Sequence, residues 1–268
     1  MGDVKTVRLF EMPKLPFNIK VSAASVTGTR RYQEDSLLYQ AMPDGVLGVV
    51  CDGMGGLAHG DKASSCAVHS LLHYFKTMSR TDVSMELYWK EAFRFLDEEV
   101  AGLKNSRGER LGAGTTIAAV FSDGRELTFA SAGDSMIYLL RRGSFRELVR
   151  MHNYRWMLEE KLKGQRISLA EYQEGVKKGE ALITYLGMNG LEIWDCSAKS
   201  LSIEKGDKVI LCSDGLYRAL SSSQIQDIVE SCPEEDFEKA ALELIRAVFQ
   251  GPPRNLDNIS VLCFCFTD

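Results

Sequence analysis

Carboxylates stand at the ends of several apolar, strand-like runs of this sequence. Six residues share that position: Glu34, Asp35, Asp52, Asp134, Asp214 and Asp257. Glycine directly follows both Asp52 and Asp214. Mg²⁺ and Mn²⁺ prefer carboxylate, carbonyl and water oxygens as ligands, in octahedral geometry. The set therefore predicts an oxygen-rich site for a hard divalent cation at the edge of an apolar sheet.

The stretch VVCDGMGGLAHGDKAS, residues 49–64, could instead be a phosphate-binding loop or a tight turn. It has neither the Gly-Lys-Ser/Thr of a Walker A loop nor the spacing of a dinucleotide fingerprint. Asp52 would also repel a phosphate unless a cation lay between them. Taken singly, an Asp-Gly pair after a strand is usually a turn. The joint appearance of the acidic residues favours the metal site.

The elements that must position these residues are mostly β-strands. TTIAAVF, ELTFASA, SMIYLLR and FRELVR are joined by connections too short for a crossover helix, so neighbours must pair antiparallel. Residues 115–150 therefore predict a four-stranded meander. Further strands are predicted at KVSAASVT, GVLGVVC, DKVILCS and ISVLCFCF. Several of these are apolar almost throughout, so both of their faces must be covered.

Helices supply the outer cover. Apolar residues recur at helical spacing in three segments, at about 60–78, 89–103 and 237–248. Two antiparallel sheets packed face to face and flanked by helices follow from this pattern, a four-layer α-β-β-α sandwich of the α+β class. No linker or repeat divides the chain, so residues 1–268 are predicted to form a single domain.

Two segments lie outside the sandwich pattern. Residues 152–190 are polar and helix-prone, with a helix start predicted at Ser168. We interpret them as a helical flap inserted over one end of the sandwich. Residues 1–20 fit either an extra edge strand or a loose tail.

Composition excludes several classes of function. The net charge of −5 argues against a general nucleic-acid binder, which needs clustered Lys and Arg. No apolar stretch approaches about twenty residues, and the start of the chain has no signal-peptide core, so we expect a cytoplasmic protein that does not span a membrane. The seven cysteines lack a CxxC pair. Buried thiols are expected rather than a disulfide framework or a soft-metal site.

Six short motifs follow one another along the chain: TGTRRYQED, VVCDGMGG, AGTT, SAGDS, VILCSDGL and DNISVLCF. In this order they resemble the motifs of the metal-dependent serine/threonine protein phosphatases of the 2C type, the PPM family, in its bacterial branch. The similarity extends from about residue 20 to residue 266. It implies the sandwich fold predicted above and a phosphoprotein phosphatase.

The resemblance implies a set of metal ligands. Asp52 would bridge two Mn²⁺ or Mg²⁺ ions. Asp214 and Asp257 would join it on one ion, and Glu34 and the backbone carbonyl of Gly53 would serve the other. Two such ions lower the pKa of a shared water, so that hydroxide attacks the phosphoryl group in line without a covalent enzyme intermediate.

Other residues would act around these ions. Asp35 would hold metal-bound water, Asn258 would orient the cluster from outside, and Asp134 with Asp214 would hold a third ion known in bacterial members. Arg30, five positions before Asp35, would bind the phosphate through its planar guanidinium. The alternative for Arg30 is a surface ion pair with Glu34.

The sequence departs from the family pattern at three positions. Met54 stands where members outside the bacterial branch carry a histidine proposed as general acid, so water or another group must protonate the leaving group. His59 is near in sequence, although a solvent-facing histidine at a helix start is the simpler interpretation. Met136 replaces a common arginine and could alter the surface near the third ion. Met151 replaces a frequent aspartate and could alter the anchoring of the flap base.

The expected partners are phosphoproteins, the substrates of a serine/threonine kinase, and the expected state is a monomer. Two alternatives remain open from sequence. One is a catalytically inactive regulatory or binding member of the family, which would require the loss of metal ligands that are all present here. The other is a hydrolase of small phosphate esters, because such a site acts on the phosphoryl group whatever carries it.

Overall fold

The computed structural model describes residues 18–55, 59–252 and 255–267. In chain order its strands are β1 (Asn18–Val26), β2 (Asp35–Met42), β3 (Gly45–Met54), β4 (Gly114–Thr115), β5 (Ile117–Ser122), β6 (Glu126–Ala132), β7 (Met136–Arg141), β8 (Ser144–Glu147), β9 (Asp195–Cys196), β10 (Leu201–Ser202), β11 (Lys208–Cys212) and β12 (Ile259–Thr267). The helices are α1 (Gly60–Thr77), α2 (Met85–Ala101), α3 (Tyr154–Lys163), α4 (Leu169–Gly175), α5 (Asp214–Tyr217), α6 (Ser222–Ser231) and α7 (Ala240–Gln250). Two 3₁₀ turns span Val176–Lys178 and Glu234–Lys239.

The strands form two antiparallel sheets, which confirms the predicted sandwich. The smaller sheet has the order β1-β12-β11-β7-β8. The larger has the order β10-β6-β5-β3-β2, with β9 beside β6 and β4 beside β3. Helices α1 and α2 pack on the outer face of the larger sheet, and α6 and α7 pack on the smaller one.

Alternation along β3 explains why this strand is apolar throughout. Val46 and Val50 belong to the core shared with the smaller sheet, whereas Leu47, Val49 and Cys51 belong to the core under α1 and α2. Successive side chains of a strand point to opposite faces, so a strand between two cores is apolar at every position. All seven cysteines are free thiols, as expected from their scatter along the sequence.

The prediction of a four-stranded meander over residues 115–150 is wrong. β5 pairs with β6 in the larger sheet, and β7 pairs with β8 in the smaller one, so the segment forms two hairpins in different sheets. The chain crosses between the sheets at residues 133–135. Gly133 has φ +101°, and a Cβ there would lie 2.6 Å from Thr116 Cγ2. Glycine therefore allows the sharp change of direction that carries the chain to the other sheet.

The segment 152–190, hereafter the insertion, lies between β8 and β9 and contains α3, α4 and the first 3₁₀ turn. Ser168 caps α4 and forms a capping box with Glu171, as its position predicted. The backbone N–H of His152 donates to the carbonyl of Gly133 (2.9 Å), which fixes the base of the insertion to the crossing between the sheets. Residues 1–17 lie outside the described part of the chain, and β1 begins at Asn18.

Candidate active site

The larger sheet contributes Asp35 and Asp52, which face each other in register across β2 and β3. The backbone around Asp52 is held firmly. Its N–H donates to Thr116 Oγ1 and its carbonyl accepts from Thr115 Oγ1, both at 2.9 Å. Backbone groups that are fixed on both sides limit the movement of the Asp52 carboxylate relative to the sheet.

The smaller sheet reaches the same place through Ser213, which follows β11. Ser213 Oγ donates to Asp35 Oδ2 (2.7 Å) and accepts from the N–H of Ser260 (3.0 Å). All three side chains are buried. One chain of hydrogen bonds therefore connects β2 of the larger sheet to β11 and β12 of the smaller one. Asp214 directly follows Ser213, and Asp257 lies three residues before Ser260.

Asn258 fixes the loop that precedes β2. Its Oδ1 accepts from the N–H of Glu34 (2.7 Å), and its Nδ2 donates to the carbonyls of Thr27 (2.9 Å) and Tyr32 (3.0 Å). The side chain is 5% exposed. Every polar atom of the amide is therefore used to hold the segment that carries Arg30 and Glu34.

Glu34 and Gly53 lie against the start of α1. Glu34 Oε1 accepts from the N–H of Gly60 (3.2 Å), where the helix dipole favours a negative charge. Gly53 donates its N–H to the carbonyl of Glu34 (3.1 Å). A Cβ on Gly53 would lie 2.1 Å from the Gly60 carbonyl oxygen, so only glycine fits between the loop and the helix.

Crowding of buried carboxylates raises their pKa values. Burial raises the pKa of Asp35 to about 7, and the charges of Asp214 and Asp257 add to the effect. Burial, followed by the charge of Asp35, raises the pKa of Asp52 well above its usual value. Burial and the charge of Asp214 raise the pKa of Asp134 to about 6. Such mutual repulsion marks a place where a bound cation would be stabilised.

The donor set fits a hard divalent cation. Asp35 Oδ1 and Asp214 Oδ1 are both buried without a hydrogen-bond partner, and the surrounding groups are carboxylates and backbone carbonyls. Within the described part of the chain, no three Asp, Glu, His or Cys side chains stand in a ready-made metal-binding arrangement. Mg²⁺ keeps several of its waters when it binds to proteins, so water could complete the coordination of an ion held by these carboxylates.

A cavity of about 600 Å³ opens beside the carboxylates, and three arginines line it: Arg30, Arg31 and Arg218. Arg30 Nη2 contacts Asp257 Oδ2 at 2.6 Å, so its ion pair is with Asp257 and not with Glu34. Arg218 Nε contacts Asp214 Oδ2 at 2.9 Å. The cavity lining thus combines three arginines with one carboxylate, Asp257, and guanidinium groups suit the binding of a phosphate.

The structure brings the predicted residues to one end of the sandwich, with Asp134 in the crossing between the sheets. Met136, in contrast, is fully buried in β7, where it pairs with Cys212. The expectation that Met136 alters the surface near the site is therefore wrong. His59 is only half-buried, but its Nδ1 has no contact with solvent and no hydrogen-bond partner, so it does not simply face the solvent.

Arg218 is a residue of the site that the sequence analysis missed. It lies four residues after Asp214, a helical spacing at which opposite charges meet. That spacing is the signal that could have identified it. The sequence pattern predicts a strand end at Asp214, whereas in the structure this residue begins the short helix α5.

Comparison with known proteins identifies the class. The sequence model of the protein phosphatase 2C family matches residues 26–247. The chain belongs to this family. It is a phosphoprotein phosphatase of the bacterial PPM type, as its relatives and the fold both indicate.

Individual relatives agree with this assignment. The serine/threonine phosphatase stp of Listeria welshimeri is 29% identical over 216 residues, which cover 80% of this chain and 82% of the relative. The serine/threonine protein phosphatase PstP of Mycobacterium tuberculosis is 25% identical over 251 residues, which cover 94% of this chain and 46% of the relative.

The solved structures include the catalytic domain of PstP in complex with two manganese ions, with a TM-score of 0.72 and 26% identity. That match covers 93% of this chain and 99% of the other. The serine/threonine phosphatase of S. agalactiae has the same fold, with a TM-score of 0.76 at 23% identity, covering 93% of this chain and 100% of the other. In the part of the chain that the structure describes, no helix has the length and apolarity needed to cross a bilayer.

Proposed function

We propose that this protein hydrolyses phosphoserine and phosphothreonine in proteins with the aid of two Mn²⁺ or Mg²⁺ ions. The observation that carries the proposal is the convergence of carboxylates from both sheets, Asp35 and Asp214 buried and Asp52 and Asp257 half-buried, beside a basic cavity. Asp35 and Asp52 come from one sheet, Asp214 and Asp257 come from the other, and Ser213 connects the two groups.

The residues that would hold the ions are those that the resemblance implies: Asp52, Asp214, Asp257, Glu34 and the Gly53 carbonyl. The hydrogen bond from the Gly53 N–H to the Glu34 carbonyl supports the last pair, because it holds the two residues together at the start of α1. When bound, the ions supply Lewis-acid activation of water and neutralise charge on the phosphoryl group.

The protein's own side chains position water and phosphate in this proposal. Asp35, held by Ser213, has one buried oxygen without a partner, Oδ1, and can accept a hydrogen bond from water at the cluster. Asn258 keeps the Arg30 loop in place through three hydrogen bonds. Arg30 has five N–H donors in a planar fork, suited to two oxygens of one phosphate, and its side chain is 62% exposed at the cavity.

Protonation of the leaving serine or threonine oxygen is assigned to water. Met54 has no proton to donate and occupies the position next to Gly53 in β3. Water can reach the cavity, because its rim is formed by exposed side chains such as Arg30 and Arg218.

The natural substrates in this proposal are proteins phosphorylated by a serine/threonine kinase. The protein acts on them as a monomer in the cytoplasm, and neither nucleic acid nor a membrane takes part. The insertion contributes substrate choice. Its Glu180 contacts Arg218 at the rim of the cavity (3.5 Å), so the insertion borders the place where a peptide would bind.

The decisive experiment measures hydrolysis of phosphothreonine and phosphoserine peptides with Mn²⁺, with Mg²⁺ and with a chelator. We expect turnover that requires metal and falls by about 100-fold or more in Asp214→Ala, since metal sites rarely tolerate the loss of a ligand. Asp227→Ala removes an exposed aspartate of α6 and serves as the matched control with full activity.

Turnover that persists in chelator, or that is equal in Asp214→Ala and the wild type, would refute the proposal. p-Nitrophenyl phosphate is run alongside the peptides. Hydrolysis of this small ester without hydrolysis of either peptide would also overturn it, in favour of a small-ester hydrolase.

A further inference from the structure

Asp134 and Asp214 are two buried carboxylates that belong to different parts of the fold. Asp134 lies in the crossing between β6 and β7 and is 5% exposed, and Asp214 begins α5 and is 8% exposed. The side chain of Arg218 lies within 3.9 Å of both carboxylates. Two buried carboxylates repel each other unless a cation compensates their charge or one of them binds a proton.

A side chain of the protein already lies against both carboxylates. Arg218 Nε contacts Asp214 Oδ2 at 2.9 Å, and Arg218 Nη2 lies 3.9 Å from Asp134 Oδ2. The guanidinium thus faces one carboxylate through its Nε edge and the other through a terminal nitrogen. The planar fork of arginine is suited to such double contacts.

The backbone and neighbouring side chain of α5 keep Arg218 in this position. Its N–H donates to the carbonyl of Asp214 (3.0 Å) at the end of the helix. The adjacent Tyr217 donates its hydroxyl to the carbonyl of Asp134 (3.1 Å). The short helix therefore ties the crossing between the sheets to the residue that carries the positive charge.

The outer side of Arg218 contacts the insertion. Glu180 Oε2 lies 3.5 Å from Arg218 Nη2, and Glu180 Oε1 lies 3.3 Å from Arg155 Nη2. Three acidic side chains therefore surround Arg218, two of them buried and one exposed. This arrangement holds the guanidinium over the pair of carboxylates.

We propose that the Arg218 guanidinium supplies the positive charge between Asp134 and Asp214. The resemblance to the PPM family would place a third metal ion at this position. A divalent cation there would be repelled by the guanidinium and would have to break its contact with Asp214. The protein therefore holds two divalent ions and not three. This inference rests on the proposed function, because it concerns the same cluster of carboxylates.

Counting bound Mn²⁺ by calorimetric titration tests the inference directly. We expect two ions per chain in the wild type and three in Arg218→Ala, in which Asp134 and Asp214 become available to an ion. The double variant Arg218→Ala/Asp134→Asn should return to two. Arg218→Lys keeps the positive charge and should also bind two.

Arg166→Ala is the matched control, because it removes an exposed arginine of the insertion, and it should bind two ions. A count of three in the wild type overturns the inference, even if the alanine variant does not fold. A folded Arg218→Ala protein, judged by its circular dichroism, that still binds two ions also overturns it.

Peptide hydrolysis measured on the same samples separates this inference from the proposed function. Metal-dependent hydrolysis by a wild-type protein that binds three ions would refute only the role of Arg218. A wild-type protein that binds no Mn²⁺ would refute the proposed function itself.

Discussion

Asn258→Ala tests how far the site depends on one buried amide. The substitution removes three hydrogen bonds and leaves the N–H of Glu34 and the carbonyl of Tyr32 without the amide, whereas the Thr27 carbonyl keeps the hydrogen bond that it accepts from the N–H of Arg30 (3.3 Å). A hydrogen bond contributes about 0.5–1.5 kcal/mol net, and a buried group left unsatisfied costs somewhat more. We therefore expect a loss of roughly 2–4 kcal/mol in the free energy of unfolding.

The loss should also appear in turnover. The loop held by Asn258 carries Arg30 and Glu34, so its release displaces both the proposed phosphate contact and a proposed metal ligand. We expect kcat/KM for a phosphothreonine peptide to fall by about 100-fold, because misplacement by about 1 Å can have that effect. Unfolding is followed by denaturant titration at fixed Mn²⁺ concentration.

Asn105→Ala provides a matched control. Asn105 also makes three hydrogen bonds, to the N–H groups of Arg107 and Glu109 and to the Glu109 side chain, but in an exposed turn. We expect it to lose less than about 1 kcal/mol, since water can replace its contacts, and to keep full activity. The reasoning is refuted if Asn258→Ala loses no more stability than this control, or if it retains wild-type kcat/KM.

Three further predictions concern packing, metal and pH. Gly53→Ala should lose at least about 1–3 kcal/mol of unfolding free energy and most activity, because its methyl would overlap the first carbonyl of α1; an active, equally stable variant would contradict this. Mn²⁺ at about 100 times its dissociation constant should raise the free energy of unfolding by roughly 2.7 kcal/mol, which corresponds to about 5–10 °C in melting temperature. Asp214→Asn should abolish most of this increase. An equal increase in the variant would argue against Asp214 as a metal ligand. Burial alone would raise the pKa of Asp195, but the His152 ring 3.4 Å away and hydrogen bonds from Arg150 hold it well below its usual value. A depressed carboxylate pKa stabilises the folded state above the unfolded pKa of about 3.9. Asp195→Asn should therefore lower the free energy of unfolding at pH 7, and this loss should become smaller as the pH falls below about 4. If the loss is the same across this pH range, the lowered pKa of Asp195 is not what stabilises the folded protein.

Elements with a strong local pattern could be predicted from the sequence. The helix predicted at about 60–78 is α1, and Ser168 begins α4 through its capping box. Both depend on interactions within a few residues, such as apolar spacing and a cap. The apolar runs also predicted that the acidic residues lie next to strand ends, and Asp35, Asp52 and Asp214 do so, because the order of residues along a strand decides which of them lies at the edge of the sheet.

Features that depend on distant parts of the chain were missed. β6 and β7 are apolar on both faces, so nothing local distinguishes a hairpin from a crossing to the other sheet, and only the position of Gly133 in three dimensions decides it. Met136 was misplaced for the same reason, since its burial depends on β11 pairing from more than seventy residues away. Arg218 acquires its role from Asp134, which precedes it by more than eighty residues.

The hydrogen bond between Asp35 and Ser213 makes the candidate active site sensitive to the alignment of the two sheets. If all the acidic groups stood on one sheet, the other sheet could slide by an ångström without consequence. Here such a movement would separate the carboxylates of the two sheets. The packing between the sheets therefore determines the distances between the acidic groups at the edge of the sandwich. Gly48 of β3 lies against Phe264 of β12, and a methyl group at residue 48 would be 2.4 Å from the Phe264 ring. The packing of Gly48 against Phe264 therefore contributes to the spacing of the two sheets, and with it to the spacing of the acidic residues proposed to bind the ions.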